Sequence, residues 1–404
     1  MLTILHTADW HLGKQLCGYD RTNEFINFFD KLKSTISEKK PNILIIAGDI
    51  FDNATPSNSV SKQYYELIAD LNKNFPNLEI LIIGGNHDSP SFLNAPAEIL
   101  KFFRAKVVGC VPRKDGEIDW NSMIYIQEIK NKPVAVICAI PFLRRGDLAT
   151  FNVENATEAD FYNEVFNRAK ILRQNLDIPI IATGHLTMVG AEYSTKNGNQ
   201  VGGQENVSEN AFPDDIDYVA LGHIHRQQPV KNKKNAFYSG SPLPFSFAEK
   251  NYQHSMSFVT FENGEQPKYE SIKLPNLVPL KVIPENPSSL EEVKIQLENI
   301  PDNQDMFLEV NLADELRSMD TKQLIITEFL KNKKAKFCGF KNNNIIKNDL
   351  EKSIFKQMKS EDDFKNTNPI DIIKDIYKNK LKTNLDEKYV DMLNSIIQEI
   401  NQQQ

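Results

Sequence analysis

The sequence predicts an α/β domain of two sheets with helices packed outside, followed by a small α+β unit and C-terminal helices. Short apolar runs alternate with amphipathic helical patterns in the first part of the chain, which is typical of layered α/β domains. Of the 17 glycines, 15 lie at or before Gly240, and all seven histidines lie at or before His254. With 404 residues, 40% hydrophobic and 25% charged, the chain has the composition of a globular protein with two or three domains.

Apolar runs predict the strands of the first domain, at residues 2–6, 43–47, 80–83, 134–137, 178–182 and 218–221, with later strands at 236–239 and 256–261. Apolar residues at helical spacing predict helices over 25–36, 60–71 and 161–172. The early helices lie between the strands. This alternation indicates a domain over residues 1–275, bounded by the segment around Pro275.

Two further regions are predicted after that boundary. Residues 276–345 indicate a small α+β domain, with strands from 280, over 306–312 and over 335–340, and helices over 289–299 and 321–330. Residues 346–404 indicate a helical region with amphipathic helices over 369–379 and 386–400, the first capped by Asn368 and opened by Pro369. Their apolar stripes suit either docking on a partner or packing within the chain.

The composition excludes some classes of protein and places a constraint on others. No run of about 18 apolar residues predicts a membrane span, and Met1 leads into a predicted strand rather than a signal peptide. The four cysteines lie far apart without a CxxC pair, which predicts reduced thiols in a cytosolic protein. The net charge of -7 differs from that of a non-specific nucleic-acid binder. Any action on DNA therefore requires a local basic surface, bound cations or a partner.

Five polar motifs begin where predicted strands stop. They are Asp9-Trp10-His11, Gly48-Asp49-Ile50-Phe51-Asp52, Gly85-Asn86-His87-Asp88, Gly184-His185 and Gly222-His223-Ile224-His225. The carboxyl ends of strands in α/β sheets form the crevice where ligands bind. We therefore expect all five motifs to converge at one edge of the sheet.

The side chains of these motifs predict a centre of two divalent cations. Two aspartates, one asparagine and four histidines offer oxygen and imidazole ligands without thiolate, which suits Mn, Fe or Zn. Two such ions about 3.5–4 Å apart need a bridging carboxylate, and Asp49 is the candidate because it is central in the order of the motifs and flanked by glycine. Each motif alone is also compatible with a polar turn or with surface histidines. His6, inside the first predicted strand, favours a structural histidine.

Together the motifs resemble the calcineurin-like metallophosphoesterase superfamily and, more narrowly, the SbcD family of nuclease subunits of bacterial SbcCD complexes. Three segments carry the narrower resemblance: residues 6–13, 214–225 and 238–247, the last containing Ser-Gly-Ser-Pro. The resemblance covers about residues 1–250. It implies a two-sheet metallophosphoesterase sandwich flanked by helices, then a capping domain, then a region that docks an ATPase.

The resemblance also implies a role for each site residue. One metal ion would be held by Asp9, His11, Asp49 and His225, and the other by Asp49, Asn86, His185 and His223. Mn²⁺ is the expected ion, with Mg²⁺ or Fe²⁺ as alternatives. His87 matches the catalytic histidine and would act as a general acid on the leaving oxygen. Asp52 matches a position near the substrate, and Asp88 would orient His87 or its loop, unless it only caps the turn.

Basic side chains near the same edge are candidate DNA contacts. Arg144 and Arg145 are the preferred pair, and the others are Lys14, Arg21, Lys62, Lys196 and Arg226. Each is also compatible with a solvated surface charge. Residues 196–206, rich in Asn, Gln and Gly, predict a mobile loop near the site.

The leading hypothesis is a metal-dependent DNA nuclease subunit. The resemblance implies 3′–5′ exonuclease action on duplex ends and endonuclease action on single strands and hairpins, in DNA replication, repair and recombination. It also implies a homodimer within a heterotetramer with an SbcC-like ATPase, in the cytoplasm at the nucleoid. A phosphatase or small phosphodiesterase is disfavoured by the segment 238–247 and by the lack of an arginine after Asp52. The complete ligand set argues against a non-catalytic scaffold.

Overall fold

The structure, a computed structural model, describes residues 1–149, 151, 156–192, 207–208, 211–262, 265–313 and 319–341. In these residues the strands are β1 (Leu2–Thr7), β2 (Ile43–Ala47), β3 (Glu79–Ile83), β4 (Ala105–Val108), β5 (Arg113–Lys114), β6 (Glu117–Ile118), β7 (Ile124–Ile129), β8 (Lys132–Cys138), β9 (Ile180–His185), β10 (Tyr218–Gly222), β11 (Gln228–Pro229), β12 (Ala236–Tyr238), β13 (Ser255–Phe261), β14 (Lys268–Lys273), β15 (Leu280–Ser288), β16 (Met306–Leu312) and β17 (Ala335–Phe340).

The helices of the described residues are α1 (Thr22–Lys39), α2 (Asn58–Asn74), α3 (Pro90–Asn94), α4 (Ala97–Leu100), α5 (Trp120–Met123), α6 (Arg145–Ala149), α7 (Glu158–Arg173), α8 (Leu290–Glu298) and α9 (Met319–Leu330). None of them is long and apolar enough to cross a membrane. The loop predicted at 196–206 and the helices predicted at 369–379 and 386–400 lie outside the described residues.

Two six-stranded sheets form the larger part of the fold. The first has the strand order β14-β13-β1-β2-β3-β4, in which β1 to β4 run parallel, β13 pairs antiparallel with β1, and β14 pairs antiparallel with β13. The second has the order β11-β12-β10-β9-β8-β7, in which β8, β9, β10 and β12 run parallel. The two-sheet α/β architecture predicted from the sequence is confirmed.

Burial on both faces explains why the central strands read as continuous apolar runs. Every residue of β2 is buried. One apolar cluster lies between the sheets and contains Ile45 of the first sheet and Ile181 of the second. Further clusters lie beneath α1 and α2 on the outer face of the first sheet, and beneath α7 on the outer face of the second. The helices therefore cover both outer faces, as the amphipathic patterns predict.

Four strands of these sheets were not predicted: β4, β7, β11 and β14. The edge strand β14 has the sequence Lys-Tyr-Glu-Ser-Ile-Lys, and all but one of its residues are exposed. An edge strand with one solvated face needs no apolar run, because its stability comes from pairing with β13. β7 is only partly buried along most of its length. Sequence periodicity therefore found the central strands and missed the edges.

The α+β elements predicted after residue 280 are present. Strands β16 and β17 have the predicted bounds, and β15, β16 and β17 form a three-stranded sheet in that order. The chain divides into two compact units. The first holds the described residues of Met1–Ile283, Lys294–Glu309 and 319–339; the second holds Pro284–Val293, 310–313 and 340–341. The domain limits after residues 275 and 345 stay a prediction.

The expectation of four reduced thiols is corrected by the structure. Cys17 and Cys338 form a disulfide, with their Cα atoms 5.1 Å apart, whereas Cys110 and Cys138 are free. The bond joins residues 321 positions apart. Leu16, next to Cys17, packs in a small apolar cluster with Leu280 and Phe307 and with Cys338 itself. Sequence spacing does not reveal this pair, because only the fold brings β17 to the loop that follows β1.

We expect thiol counting to distinguish paired from free cysteines. Unreduced, denatured protein should show about two reactive thiols, and reduction should expose all four of its cysteines. Reduction should also lower the free energy of unfolding by about 3–5 kcal/mol, because the bond closes a very long loop. In a Cys338→Ser variant the stability should be the same before and after reduction. Four reactive thiols in unreduced wild type would contradict the disulfide.

Candidate metal centre

The five predicted motifs meet at the carboxyl ends of five parallel strands. Asp9 and His11 follow β1, Asp49 follows β2, and Asn86 follows β3; His185 is the last residue of β9, and His223 and His225 follow β10. β9 and β10 are paired so that His185 lies opposite Gly222, the residue before His223. The predicted convergence at one edge is therefore present, with ligands contributed by both sheets.

One group of ligand atoms comes from Asp9, His11 and His225, which all lie within 4.8 Å of one another. The Nε2 atoms of His11 and His225 are 3.2 Å apart. Two ring nitrogens in contact share at most one hydrogen-bonding proton between them, and a cation between the rings satisfies both lone pairs.

A second group comes from Asp49, His185 and His223, again within 4.8 Å. The Oδ1 atom of Asn86 completes it, at 3.1 Å from His185 Nε2 and 3.0 Å from His223 Nδ1. Asp49 reaches both groups, because its Oδ2 lies 3.2 Å from His185 Nε2 and 3.6 Å from His11 Nε2. Asp49 therefore lies within reach of both groups, and its role as a bridging carboxylate stays a prediction.

The residues present fit a pair of divalent cations. Asp9 is fully buried, and its Oδ2 has no hydrogen-bond partner among the described residues. Its Oδ1 accepts the backbone N–H of His223, so Oδ2 is the oxygen without a partner in the described part of the chain. A buried carboxylate oxygen without a partner is costly unless a cation meets it. Carboxylate, amide and imidazole ligands without thiolate suit Mn, Fe or Zn.

Backbone strain accompanies the predicted ligands. Asp9, His11, Asp49 and His223 all have positive φ, between 46° and 92°. This left-handed region is uncommon for residues other than glycine and marks positions that the surrounding structure holds in place. Gly85 is required for a different reason, since a Cβ there would lie 2.1 Å from Asp49 Oδ1. Glycine beside the ligands therefore permits the close approach that the motifs suggested.

Hydrogen bonds at Nδ1 fix the orientation of three of the histidine rings. The Nδ1–H of His185 donates to the carbonyl oxygen of Ala47 at 2.9 Å, and that of His87 to the carbonyl of Asp52 at 2.8 Å. The Nδ1–H of His225 donates to a carboxylate instead, Glu249 Oε1 at 3.0 Å. Nε2 of His185 and of His225 faces the other ligand atoms, and in His87 Nε2 is the ring nitrogen left without this bond.

Opposite charges at the centre shift the pKa values of its residues in different directions. Burial would lower the pKa of His185, but the carboxylates of Asp49 and Asp9 outweigh it and raise this pKa to about 9. For His225 burial acts in the same way, and Glu249 raises the pKa to about 9. Burial and the neighbouring His185 lower the pKa of His223 to about 3. Burial would raise the pKa of Asp49, but the surrounding histidines hold it well below its usual range.

The predicted catalytic residues lie beside these groups. The ring of His87 is 4.8 Å from that of His11, and its backbone N–H donates to Asp49 Oδ1. The Oδ1 of Asp52 is 3.5 Å from His11 Nδ1, and His11, Asp52 and His87 form a third group able to hold a cation. The carboxylate of Asp88 is buried and accepts backbone N–H groups of Ile50, Phe51 and Gly85. Asp88 therefore ties the loop after β2 to the loop after β3.

The basic candidates differ in exposure and in pairing. Arg21 is corrected: it is 2% exposed and forms a buried ion pair with Glu24, so it is not a surface contact. Arg144 is half-buried and donates from Nη2 to the carbonyl oxygen of Asp88, while its Nη1 has no partner in the described part of the chain. Arg145 is exposed at the start of α6. The remaining described candidates are in ion pairs: Lys14 with Asp52, Lys62 with Glu66, and Arg226 with Glu192.

Glu249 was not singled out from the sequence, although it is 6% exposed and contacts the predicted ligand His225. Its signal was its place two residues after the segment 238–247, which carries the narrower resemblance. His6 is a structural histidine in the structure too, buried with its Nδ1 2.8 Å from the hydroxyl of Tyr218. Lys196, the last of the basic candidates, lies outside the described residues.

Comparison with known proteins gives consistent results. The sequence profile of the family described as calcineurin-like phosphoesterase matches residues 2–227. The SbcD subunit of nuclease SbcCD from Escherichia coli (strain K12) is 31% identical over 349 residues, which cover 81% of this chain and 83% of that protein. The same-named protein of Rhodobacter capsulatus is 31% identical over 74% of this chain and 76% of its own length. That of Bacillus subtilis (strain 168) is 29% identical over 78% and 80%.

Proposed function

Because the chain belongs to the calcineurin-like phosphoesterase family and, within it, to the SbcD family of nuclease subunits, we propose that it is a DNA nuclease subunit that hydrolyses phosphodiester bonds with two divalent metal ions. The observation that carries the proposal is the pair of ligand groups that share Asp49. A shared carboxylate between two groups of imidazole and oxygen ligands is the arrangement of two-metal hydrolytic sites.

The assignment of ligands follows the two groups. One ion would be held by Asp9, His11, Asp49 and His225, and the other by Asp49, Asn86, His185 and His223. Two divalent cations, when bound, lower the pKa of a water molecule towards neutrality and offset the negative charge that develops on the phosphate. We propose Mn²⁺ as the ion, with Mg²⁺ or Fe²⁺ as alternatives, because the donor set contains oxygen and imidazole ligands.

His87 is proposed as the general acid. Its Nδ1–H is committed to the carbonyl oxygen of Asp52, so Nε2 is the ring atom able to give a proton to the leaving 3′ oxygen. The backbone N–H of His87 donates to Asp49, which couples the position of the acid to that of the proposed bridging carboxylate. Asp52 and Asp88 act as positioning residues here. The carboxylate of Asp52 lies beside His11 and its backbone carbonyl accepts the Nδ1–H of His87, whereas the carboxylate of Asp88 accepts three backbone N–H groups.

Arg144 is the best-supported candidate for a DNA phosphate contact. It is anchored to the carbonyl of Asp88, next in sequence to His87, and its Nη1 keeps an unused donor among the described residues. The half-buried guanidinium of Arg144, held beside the residue proposed as general acid, has the charge and N–H groups that suit a phosphate oxygen, although Nη1 itself is buried. Lys14 and Arg226 remain weaker candidates because each is paired with a carboxylate. Arg145 adds positive charge beside Arg144.

The partners are proposed from the names of the relatives. These proteins are named as one subunit of the nuclease SbcCD, which supports an SbcC-like ATPase as partner of this chain and DNA as its substrate. The finer proposals are a homodimer within a heterotetramer, 3′–5′ exonuclease action on duplex ends, endonuclease action on single strands and hairpins, and a place at the nucleoid. Residues 276–345 are proposed as the capping domain and residues 346–404 as the docking region.

Metal binding is expected to release protons. At pH 7.5 we expect the rings of His185 and His225 to be protonated on both nitrogens in the metal-free protein, because the pKa of each is about 9. A metal ligand must be unprotonated, so binding should release about two protons, and apparent affinity should rise with pH until about pH 9. Isothermal titration with Mn²⁺ in buffers of different ionisation enthalpy measures this number. Release should fall towards zero at about pH 10, and no release at pH 7.5 would contradict the prediction.

Two substrates test the proposed function. Purified chain with Mn²⁺ should degrade end-labelled linear duplex DNA, alone or with the ATPase partner and ATP. Chelation should abolish the activity and added Mn²⁺ should restore it. Hydrolysis of a nitrophenyl phosphate monoester without any DNA cutting, with partner and ATP present, would instead establish a phosphatase.

A further inference from the structure

Residues 239–249, called here the bracing segment, run beside the proposed ligand His225. They include most of the stretch that carries the narrower resemblance, yet they contain none of the seven predicted ligands. In the structure, Ser239 and Ser241 are fully buried, as expected for a segment that packs within the fold rather than on its surface.

The backbone of the bracing segment holds the backbone of His225. The N–H of Ser241 donates to the carbonyl oxygen of His225 at 3.1 Å. Gly240 has a φ of +75°, and a Cβ there would lie 2.7 Å from the backbone nitrogen of Gln227 and 2.8 Å from the oxygen of His225. Only glycine permits this approach, so Gly240 allows the bracing segment to lie directly against the backbone of His225.

The end of the bracing segment also holds the ring of His225. Glu249 Oε1 accepts the Nδ1–H of His225 at 3.0 Å, and its Oε2 accepts the backbone N–H of Phe245 at 2.8 Å. The hydroxyl of Ser246 is 3.3 Å from Oε1. Both carboxylate oxygens are therefore committed, and the Glu249 side chain is 7% exposed. A buried carboxylate held at both oxygens has little freedom to move away from the ring.

Phe245 confines the ring from another side. Its ring lies 5.4 Å from that of His225 and 5.1 Å from that of His11, both edge to face. The guanidinium of buried Arg21 lies 5.7 Å from Phe245 and donates to the carbonyl oxygen of Pro244 at 2.5 Å. The ion pair with Glu24 fixes that guanidinium in turn. The backbone of Ser241, the carboxylate of Glu249 and the ring of Phe245 therefore all contact His225.

We propose that Glu249 is a positioning residue for His225: it accepts the Nδ1–H, fixes the ring, and leaves the Nε2 lone pair directed at the ion held with Asp9 and His11. This inference rests on the proposed two-metal function. A carboxylate behind a metal-bound histidine both orients the ring and makes its ligand nitrogen more basic. His185, a ligand of the other ion, is oriented by a backbone carbonyl instead. Glu249 therefore acts on one of the two ions.

Metal binding without any DNA tests this assignment. Isothermal titration of the full chain with Mn²⁺ should show two ions in wild type. In Glu249→Ala one of them should bind about 10–100-fold more weakly, with the other unchanged. Glu249→Gln should show the same selective loss in weaker form, since an amide supplies one acceptor where His225 and Phe245 require two. Glu270→Gln is the matched control, because Glu270 is an exposed glutamate of β14 whose partner is Lys39 at the end of α1.

A double-mutant cycle separates positioning from a general structural role. If Glu249 acts through His225, then Glu249→Ala should cost no further metal affinity in a His225→Ala background. High Mn²⁺ should restore the hydrolysis rate of Glu249→Gln. Metal-free Glu249→Gln should unfold in one cooperative transition with a modestly lower midpoint than wild type, because one of two buried N–H groups loses its acceptor. Equal weakening of both ions, an additive cycle, or unchanged affinity would each overturn the proposal. If the Glu249 variants lose one ion selectively but the wild-type chain cuts no DNA, the positioning role of Glu249 stands and the nuclease function is rejected.

Discussion

His87→Ala is expected to lower the rate of DNA phosphodiester hydrolysis about 10²–10⁴-fold, which is the usual contribution of a general acid. The alkoxide that leaves from a DNA 3′ oxygen is a poor leaving group unless it is protonated. The ring nitrogen of His87 available for that proton is Nε2, since Nδ1–H is bound to the carbonyl of Asp52. The loss should therefore appear in kcat rather than in KM.

A substrate with a good leaving group gives the sharpest check of that role. Bis-nitrophenyl phosphate releases a nitrophenolate that needs no proton, so His87→Ala should slow its hydrolysis far less than that of DNA. Equal losses on both substrates would contradict the general acid. Metal titration is the second control, because His87 also belongs to a group with His11 and Asp52 that is able to hold a cation. We expect His87→Ala to bind two ions, and binding of only one would identify His87 as a metal ligand.

Asp49→Asn is expected to have the larger effect, lowering hydrolysis by about 10³-fold or more. Asp49 Oδ2 lies within 3.2 Å of His185 and 3.6 Å of His11, so one carboxylate serves both groups of ligands. Losing the charge removes several kcal/mol of transition-state stabilisation, at about 1.4 kcal/mol for each tenfold in rate. Asp49 Oδ1 also accepts the backbone N–H of His87, so the position of the general acid depends on it as well.

Metal titration should show that Asp49→Asn weakens both ions at once, in contrast to Glu249→Ala, which weakens one. Asp70→Asn is the matched control, because Asp70 is an exposed aspartate on α2 and should leave binding and rate unchanged. Added Mn²⁺ should restore little activity to Asp49→Asn. Two tightly bound ions in this variant would show that Asp49 is not the bridge.

Most of the site was accessible from the sequence because its residues are reached through local rules. Each ligand motif follows an apolar run such as that of β2, and parallel strands bring their carboxyl ends to one edge. Glycine before Asp49 and before Asn86 marked the tight approach that the structure contains at Gly48 and Gly85. Asp49 was predicted as a bridging carboxylate from the order of the motifs and the glycine beside it, and its proximity to both groups of ligands supports that proposal.

Other features depend on partners that are distant in sequence and were missed or misread. Arg21 was taken for a surface charge, yet it is buried against Phe245 and Phe307 with Glu24 as its counterion. Cys17 and Cys338 were taken for free thiols, yet they meet across 321 positions. An arginine or a cysteine has the same local signature whether it is exposed or paired, since the difference lies in what the fold places beside it.

The sequence by itself determined the two-sheet class, the edge at which the polar motifs meet, and the residue types available to hold metal ions. It could do so because strand periodicity, glycine and ligand chemistry act over a few neighbouring residues. Only the tertiary structure decided which nitrogen of each histidine faces the site and which carboxylate stands behind His225. Those choices depend on hydrogen bonds between residues such as Ala47 and His185, 138 positions apart, which no local pattern encodes.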